Sequence, residues 1–179
     1  PRINRNEIYL KQTYRNRYDV LGVNGRLSLT VPVSGQKGIK TPLKDIRISD
    51  QQWRKQHLAT LRSSYGKAAY FEHYFDGLSD ALLKPTAFLI DLNTEALEWV
   101  SRCKVDVQWT LTDEPWNYRE SDWTYRWEPN YRWPEAMHYP QVFSDRHPFE
   151  GHLSIIDVLM NKGPLTADYI RQLMNTGIE

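Results

Sequence analysis

The dipeptide Asn24-Gly25 constrains the fold of this 179-residue chain more than any other feature. Both residues tolerate a positive φ, so the pair favours a two-residue turn between antiparallel strands. Apolar residues then alternate strictly from Leu27 to Val33, a pattern typical of a strand with one buried face. The sequence therefore predicts a β-hairpin that joins a strand near 17–23 to a strand over 26–33.

Helical patterns follow the hairpin. An apolar face predicts a helix over 50–65 that is opened by a capping box at 49–52. Helices are also predicted over 86–102, over 153–162 and from Thr166 onward, since each has a proline, glycine or N-cap signal. Further strands are predicted at 7–13, 43–48 and 105–111, and a short helical turn at 69–75. This interleaving indicates one α/β domain over residues 1–179 (mixed α+β is the alternative), with a small mixed sheet and four to five helices.

Residues 113–139 form a different kind of segment. Trp and Tyr alternate irregularly there with Arg, Glu and Pro, without a period of 2 or 3.6. This pattern predicts a long, ordered loop. Arginines among aromatic rings favour packing of the segment on itself through cation–π contacts. The alternative is a platform for sugars, bases or a protein partner.

The charge is unevenly distributed along the chain. Residues through Lys67 contain 14 Lys/Arg against 4 Asp/Glu, and the rest contain 9 against 18. This division indicates either pairing between the two parts or an anion site in the basic part. The pI of about 8.3 is not extreme. No helix is uniformly basic either, so we expect no nucleic-acid partner.

The sequence also indicates the cellular compartment in which the protein resides. No apolar run approaches the ~18–20 residues of a membrane span, and no secretory signal is visible. The single cysteine, Cys103, excludes an internal disulfide framework and a cysteine-based zinc site. We therefore expect a cytoplasmic protein without a membrane span. Since the chain begins at Pro1 and not at Met, we expect part of the natural N-terminus to precede it.

No phosphate-binding loop, serine-nucleophile or zinc-protease motif is present, so candidate chemistry comes from polar clusters. In an extended segment, Lys11, Arg15 and Arg17 would share one face, with Asn16 on the other. Guanidinium groups suit bidentate binding of phosphate or carboxylate. An exposed edge strand protected by charge is the equally weighted alternative.

Two clusters contain histidine. Trp53 and His57 are four residues apart on a predicted helix, so they share a face. His57 is either a general acid or base or a hydrogen-bonded core residue. Arg146 and His147 precede a proline and form either an anion or acid/base site or a structural turn. The histidines at 138, 147 and 152 lack metal-ligand spacing, and we expect no metal.

The fourth cluster centres on Asp157, which lies in an apolar helix. A carboxylate there needs a cation or a hydrogen-bond donor. Arg15, Arg17 and His57 are the candidate partners from the basic part of the chain. A structural buried ion pair and a functional carboxylate are equally compatible with this pattern.

Several runs are informative when they are taken together. They are 11–17, 29–33, 44–48, Trp53-Arg54-x-x-His57, Tyr139-x-Gln141-Val142-Phe143, Arg146-His147 and 153–164. In order and spacing these runs resemble the WbqC-like family, in its short form found in Bacteroidetes-type bacteria. The sequence departs from the family in two respects. Family members usually begin with an extra strand and a Gln-Pro-x-Tyr-type segment, which is not seen before Pro1. Longer members have a Gly-rich stretch where the Trp/Tyr-rich segment stands here.

The resemblance implies a role in bacterial surface-polysaccharide (O-antigen) biosynthesis, with acyl or aminoacyl transfer to an amino sugar as the suggested activity. We hypothesise a cofactor-free transferase that acts on an anionic, nucleotide-linked or phosphorylated sugar. His57 or His147 would move the proton and Asp157 would orient one of these side chains. The alternative is a non-catalytic glycan- or protein-binding assembly protein that uses the aromatic segment. The candidate substrate-binding residues are Lys11, Arg15, Asn16, Arg17, Trp53, Tyr139, Gln141 and Arg146.

Overall fold

The computed structural model describes residues 2–34, 40–105, 107–115 and 135–176. It confirms the predicted α/β class. Short 3-10 helices at Leu43–Asp45 and Gly163–Leu165 supplement the main elements. Those elements, in chain order, are β1 (Arg2–Asn4), β2 (Arg17–Gly22), β3 (Gly25–Thr30), β4 (Val33–Ser34), β5 (Arg47–Ile48), α1 (Trp53–Tyr65), α2 (Phe71–Leu83), α3 (Leu89–Arg102), β6 (Thr110–Thr112), α4 (Ile155–Lys162) and α5 (Thr166–Thr176).

The described strands form three separate pairs where the sequence predicts one small mixed sheet. β1 and β6 are parallel, whereas β2–β3 and β4–β5 are antiparallel. The predicted hairpin is confirmed, with Gly22 opposite Gly25 and a φ of 100° at Gly25. Pro32 has no backbone N–H to donate to a neighbouring strand, and the strand pairing changes at this residue. Before it, β3 pairs with β2, and after it, β4 pairs with β5.

Three predicted strands are wrong in whole or in part. Within 7–13, Ile8 makes a single β-bridge with Pro42 and the chain then turns, with a φ of 60° at Gln12. Residues 43–48 begin as a 3-10 helix, and 105–111 contribute only the start of β6. Because residues 11–16 turn instead of extending, the shared face of Lys11, Arg15 and Arg17 does not form.

The helices are confirmed with different ends. The predicted capping box before α1 is wrong, because Gln52 is the N-cap and makes no side-chain capping bond. Asp50 instead accepts a hydrogen bond from the backbone N–H of Gln52 at 2.8 Å. The predicted turn at 69–75 is the start of the full helix α2. Ser154 caps α4, which ends at Gly163 with a φ of 56°.

The core brings β2, α1 and α4 together. α2 packs on α3, and α4 packs on both α2 and β2. The Tyr65 hydroxyl on α1 accepts a hydrogen bond from the backbone N–H of Leu21 on β2 at 3.1 Å. The backbone N–H of Ser154 donates to the carbonyl of Asp19 at 2.8 Å. These contacts fix the start of α4 against β2, where the candidate site lies.

Most of the aromatic segment, 116–134, lies outside the described residues, so its predicted loop structure and partner role stay predictions. In the part of the chain that the structure describes, no helix has both the length and the apolarity to cross a membrane.

Candidate functional site

Two adjoining cavities lie between β2, the turns that precede it and the entry to α4. Their volumes are about 590 Å³ and about 330 Å³. Both lie in the range of small-molecule pockets, ≈ 300–1,000 Å³. The larger cavity has an aromatic and aliphatic wall that includes Tyr139 and Tyr169. Five residues line both cavities: Tyr14, Arg17, Tyr18, Ser154 and Ile155.

Arg17 is the cation at the junction of the two cavities. It is the first residue of β2 and is partly buried. The two nearest acidic residues in sequence are already paired, Asp19 with Arg26 and Glu7 with Arg15. Arg17 itself forms no ion pair with another described residue. Its guanidinium is therefore available to an anion in the cavities.

Arg15 and Asn16 line the smaller cavity and are largely satisfied by the protein. The Arg15 guanidinium pairs with Glu7 and donates to the Thr13 hydroxyl at 3.2 Å. The Asn16 side-chain amide donates to the Val31 carbonyl at 2.9 Å. Two buried atoms, Arg15 Nε and Asn16 Oδ1, have no hydrogen-bond partner among the described residues.

Asp157 lies in the first turn of α4 and has no solvent exposure. Its Oδ2 accepts hydrogen bonds from the Tyr139 hydroxyl at 2.6 Å and from Gln141 Nε2 at 3.0 Å. Burial raises the pKa of Asp157, and these hydrogen bonds oppose the rise. The candidate cationic partners are wrong for this residue, because the neutral donors Tyr139 and Gln141 bond to its Oδ2 instead. The other oxygen, Oδ1, is buried without a hydrogen-bond partner among the described residues.

A chain of polar contacts joins this carboxylate to the hairpin. The Gln141 amide exchanges hydrogen bonds with the backbone of Glu150 at 2.9 and 3.0 Å. The Glu150 carboxylate accepts from Arg26 on β3 at 2.6 Å, and Arg26 also reaches Asp19 on β2 at 3.2 Å. Gln141 and Asp157 do not line the larger cavity themselves. Their hydrogen bonds instead fix the position of residues that do, such as Tyr139.

His57 is held by contacts within the protein. The Tyr18 hydroxyl lies 3.0 Å from Nδ1, and the other contact is with the backbone of Thr30. The Trp53 ring packs edge-on at 4.8 Å between centroids. Burial lowers the pKa of His57 to about 4, so the imidazole is neutral at pH 7. His57 and Trp53 lie behind Tyr18 and do not line either cavity.

Three other predicted site residues lie away from the cavities. His147 Nε2 is 2.7 Å from the carbonyl of Val23 at the hairpin turn. Arg146 is exposed beside Asp145, with 3.6 Å between Nε and Oδ2. Lys11 is exposed in the turns before β2. The structure thus gathers Arg15, Asn16, Arg17 and Tyr139 at the cavities, with Gln141 and Asp157 behind them.

His152 lines the larger cavity and was missed as a site residue by sequence reasoning. Its φ of 56° places it in a left-handed conformation that no local motif predicts. Burial, assisted by Arg26, lowers the pKa of His152, so its imidazole is neutral at pH 7. A search of the described ranges finds no group of three or more His, Cys, Asp or Glu side chains that could hold a metal ion.

A family model described as the WbqC-like protein family matches residues 4–124. This chain belongs to the WbqC-like family. The match contains the residues 14–18 that line the cavities, whereas the segment 139–157 of this WbqC-like protein lies beyond it. No curated protein and no solved structure matches the chain significantly.

Proposed function

We propose that this WbqC-like protein binds an anionic, phosphorylated or nucleotide-linked sugar in the two cavities. We further propose that it transfers an acyl group to the amine of that sugar, in bacterial surface-polysaccharide biosynthesis. The polysaccharide association and the acyl transfer come from the family resemblance, and the anionic ligand is supported by the site. The cytoplasm is the proposed location, where the single Cys103 stays reduced.

The position of Arg17, a cation that lines both cavities, is the observation that supports this proposal most strongly. Its guanidinium forms no ion pair within the described part of the chain. A phosphate beside it gains charge-assisted hydrogen bonds, which are stronger than neutral ones. The adjoining walls contain Tyr14, Tyr18, Tyr139 and Tyr169. Aromatic walls with a few polar groups are the usual lining of a ligand pocket. The cavity of about 590 Å³ has room for a sugar next to the phosphate.

The transfer step requires a proton acceptor and an activated acyl donor such as a thioester. The sugar nitrogen forms a bond to the acyl carbon, and the bond from that carbon to the donor sulfur breaks. The sulfur leaves as a thiolate, and the amine gives up one proton. We assign this proton to His152, because it is a neutral imidazole in the cavity wall, which His57 and His147 do not line.

Calorimetric titration with a panel of phosphorylated and nucleotide-linked amino sugars tests the anion site. We expect Arg17→Gln to weaken the tightest ligand by at least about tenfold, since hydrogen bonds to charged groups contribute ≈ 1.5–3 kcal/mol. Arg171→Gln is the matched control, because Arg171 is 65% exposed on α5 and should leave the affinity unchanged.

Equal weakening by the two substitutions would show that binding depends on overall charge and not on the cavity. If sugars bind at Arg17 but no thioester donor gives an acylated product, the protein is a binding module. That outcome would favour the non-catalytic alternative.

A further inference from the structure

We propose that the phosphate of the sugar ligand is a phosphodiester whose second substituent, an apolar alkyl chain, occupies the smaller cavity. The ligand is then a lipid-linked amino sugar. The inference rests on the proposed function, since it keeps the sugar in the larger cavity and its phosphate at Arg17. It goes further, because it states to which second group the phosphate is joined.

Arg17 lies where the two cavities adjoin and lines both of them. A phosphate bound to its guanidinium therefore borders both cavities. A phosphate monoester has a single organic substituent, whereas a diester has two. The two cavities thus provide a separate space for each substituent of a diester.

The wall of the smaller cavity is predominantly apolar. An alkyl chain that leaves water for such a space is favoured roughly in proportion to the area that it buries. The volume is about 330 Å³. This volume has room for roughly ten heavy atoms, at the ≈ 30 Å³ that one water molecule takes in the liquid. The helices α2, α3 and α4 contribute the aliphatic side chains of Leu78, Leu82, Leu92, Leu97, Val100 and Ile156.

Among the described residues, four charged or amide side chains line the smaller cavity alone, and each is bonded within the protein. Glu7 pairs with Arg15. The Asn16 amide donates to the Val31 carbonyl at 2.9 Å, and the Asn93 amide donates to the Arg15 carbonyl at 3.0 Å. Arg15 Nε and Asn16 Oδ1 lack a partner but have almost no accessible surface, so they are not open to a ligand. A nucleoside would lose the hydrogen bonds that its base and ribose make with water, whereas an alkyl chain has none to lose.

The charge at the junction matches a phosphodiester. Within the described wall of the smaller cavity, Arg17 is the one charged side chain outside an ion pair, because Glu7 and Arg15 neutralise each other. In the larger cavity, Asp19 is paired with Arg26. A single positive charge therefore remains at the junction. A phosphodiester carries one negative charge, whereas the diphosphate of a nucleotide-linked sugar carries two.

Three phosphodiesters with the same charge on phosphate test the chain site by NMR titration of the whole chain. They are the methyl and hexyl esters of glucosamine 1-phosphate, and methyl hexyl phosphate, which has no sugar. Each buried methylene strengthens binding by about fourfold. We therefore expect the hexyl ester of the sugar phosphate to bind at least about tenfold more tightly than the methyl ester. Equal affinity of these two esters would overturn the proposal.

Contacts of the bound hexyl chain locate it directly. We expect nuclear Overhauser effects between its methylene protons and the methyl groups of Leu82 and Leu92, which line only the smaller cavity. Effects to Val158 and Ile170, which line only the larger cavity, would instead contradict the proposal.

The substitution Ala96→Phe fills the smaller cavity from α3. We expect it to lower the affinity for the hexyl ester to that for the methyl ester. Binding of the methyl ester should not change, which also shows that the variant is folded; if it does not fold, the wild-type contacts decide. Ala59→Phe, on the exposed face of α1, is the matched control and should keep the wild-type preference. A hexyl preference that survives Ala96→Phe places the chain elsewhere and contradicts the proposal.

The proposed function and the chain site fail separately. If methyl hexyl phosphate binds as tightly as the hexyl ester of the sugar phosphate, the chain site stands and the amino-sugar ligand is removed. If the two sugar esters bind equally and Arg17→Gln weakens both, the proposed function stands and the chain site is removed.

Discussion

Replacing Asp157 with Ala is expected to lower the free energy of unfolding by about 3 kcal/mol, one of the two largest effects expected for a single substitution here. The carboxylate is fully buried and accepts hydrogen bonds from Tyr139 and Gln141. Its removal leaves a hydroxyl and an amide donor inside the protein without their acceptor, and each buried unsatisfied group costs ≈ 1–3 kcal/mol. A small void adds to this cost.

Urea unfolding at pH 7 measures the effect. Tyr139→Phe removes only one donor and should cost about 1 kcal/mol. Asp168→Ala is the matched control, since the Asp168 side chain is 60% exposed on α5 and should change the stability by less than about 0.5 kcal/mol. A wild-type free energy of unfolding for Asp157→Ala would mean that these contacts do not hold 139–141 against α4.

Acidification from pH 7 to pH 4 is expected to remove about 3 kcal/mol of stability through His57 alone. Burial lowers the pKa of His57 to about 4, below the ordinary value of 6.5. Between these two values the unfolded chain takes up a proton that the folded protein excludes. Since the unfolded state binds more protons, stability falls as the pH drops through this window, and it is fully present above 6.5.

The measurement is the difference in free energy of unfolding between pH 7 and pH 4 for wild type and His57→Gln. The variant should lose less stability on acidification, because it has no imidazole to protonate. Lys55→Gln, at an exposed position of α1, is the control and should keep the wild-type difference. An unchanged difference in His57→Gln would contradict the buried, neutral imidazole.

Asp157 contributes to the same pH dependence with the opposite sign. Burial raises its pKa, so the folded carboxyl group takes up a proton at a higher pH than the unfolded one. This contribution to stability is therefore lost as the pH rises through the folded pKa. The comparison of variants at two pH values isolates His57, because Asp157 is common to all of them.

The local elements could be predicted from the sequence, since their causes are local. Asn24-Gly25 determines the hairpin turn without help from distant residues. The extent of α2 was missed although its signal was present, since Phe71, Phe75, Leu78 and Leu82 recur at helical spacing. The turns of residues 7–16 could not be predicted from the local sequence, because tertiary contacts hold them. One of these contacts is the hydrogen bond from the Tyr9 N–H to the Thr41 carbonyl.

The sequence predicted which residues belong to the candidate site better than it predicted which of them contact one another. Arg15 and Arg17 were identified as cations in a row, but only the turns before β2 bring Glu7 to Arg15 and leave Arg17 without an acidic partner among the described residues. Tyr139, Gln141 and Asp157 were each singled out, yet their contact depends on 139–150, which has no helix or strand to predict its path.

A crystal structure of the protein with the tightest-binding nucleotide-linked amino sugar tests the central claim most directly. We predict the phosphate against the Arg17 guanidinium and the sugar in the larger cavity. A phosphate held instead by exposed cations such as Lys11 or Arg146, with both cavities unoccupied by the sugar, would contradict it.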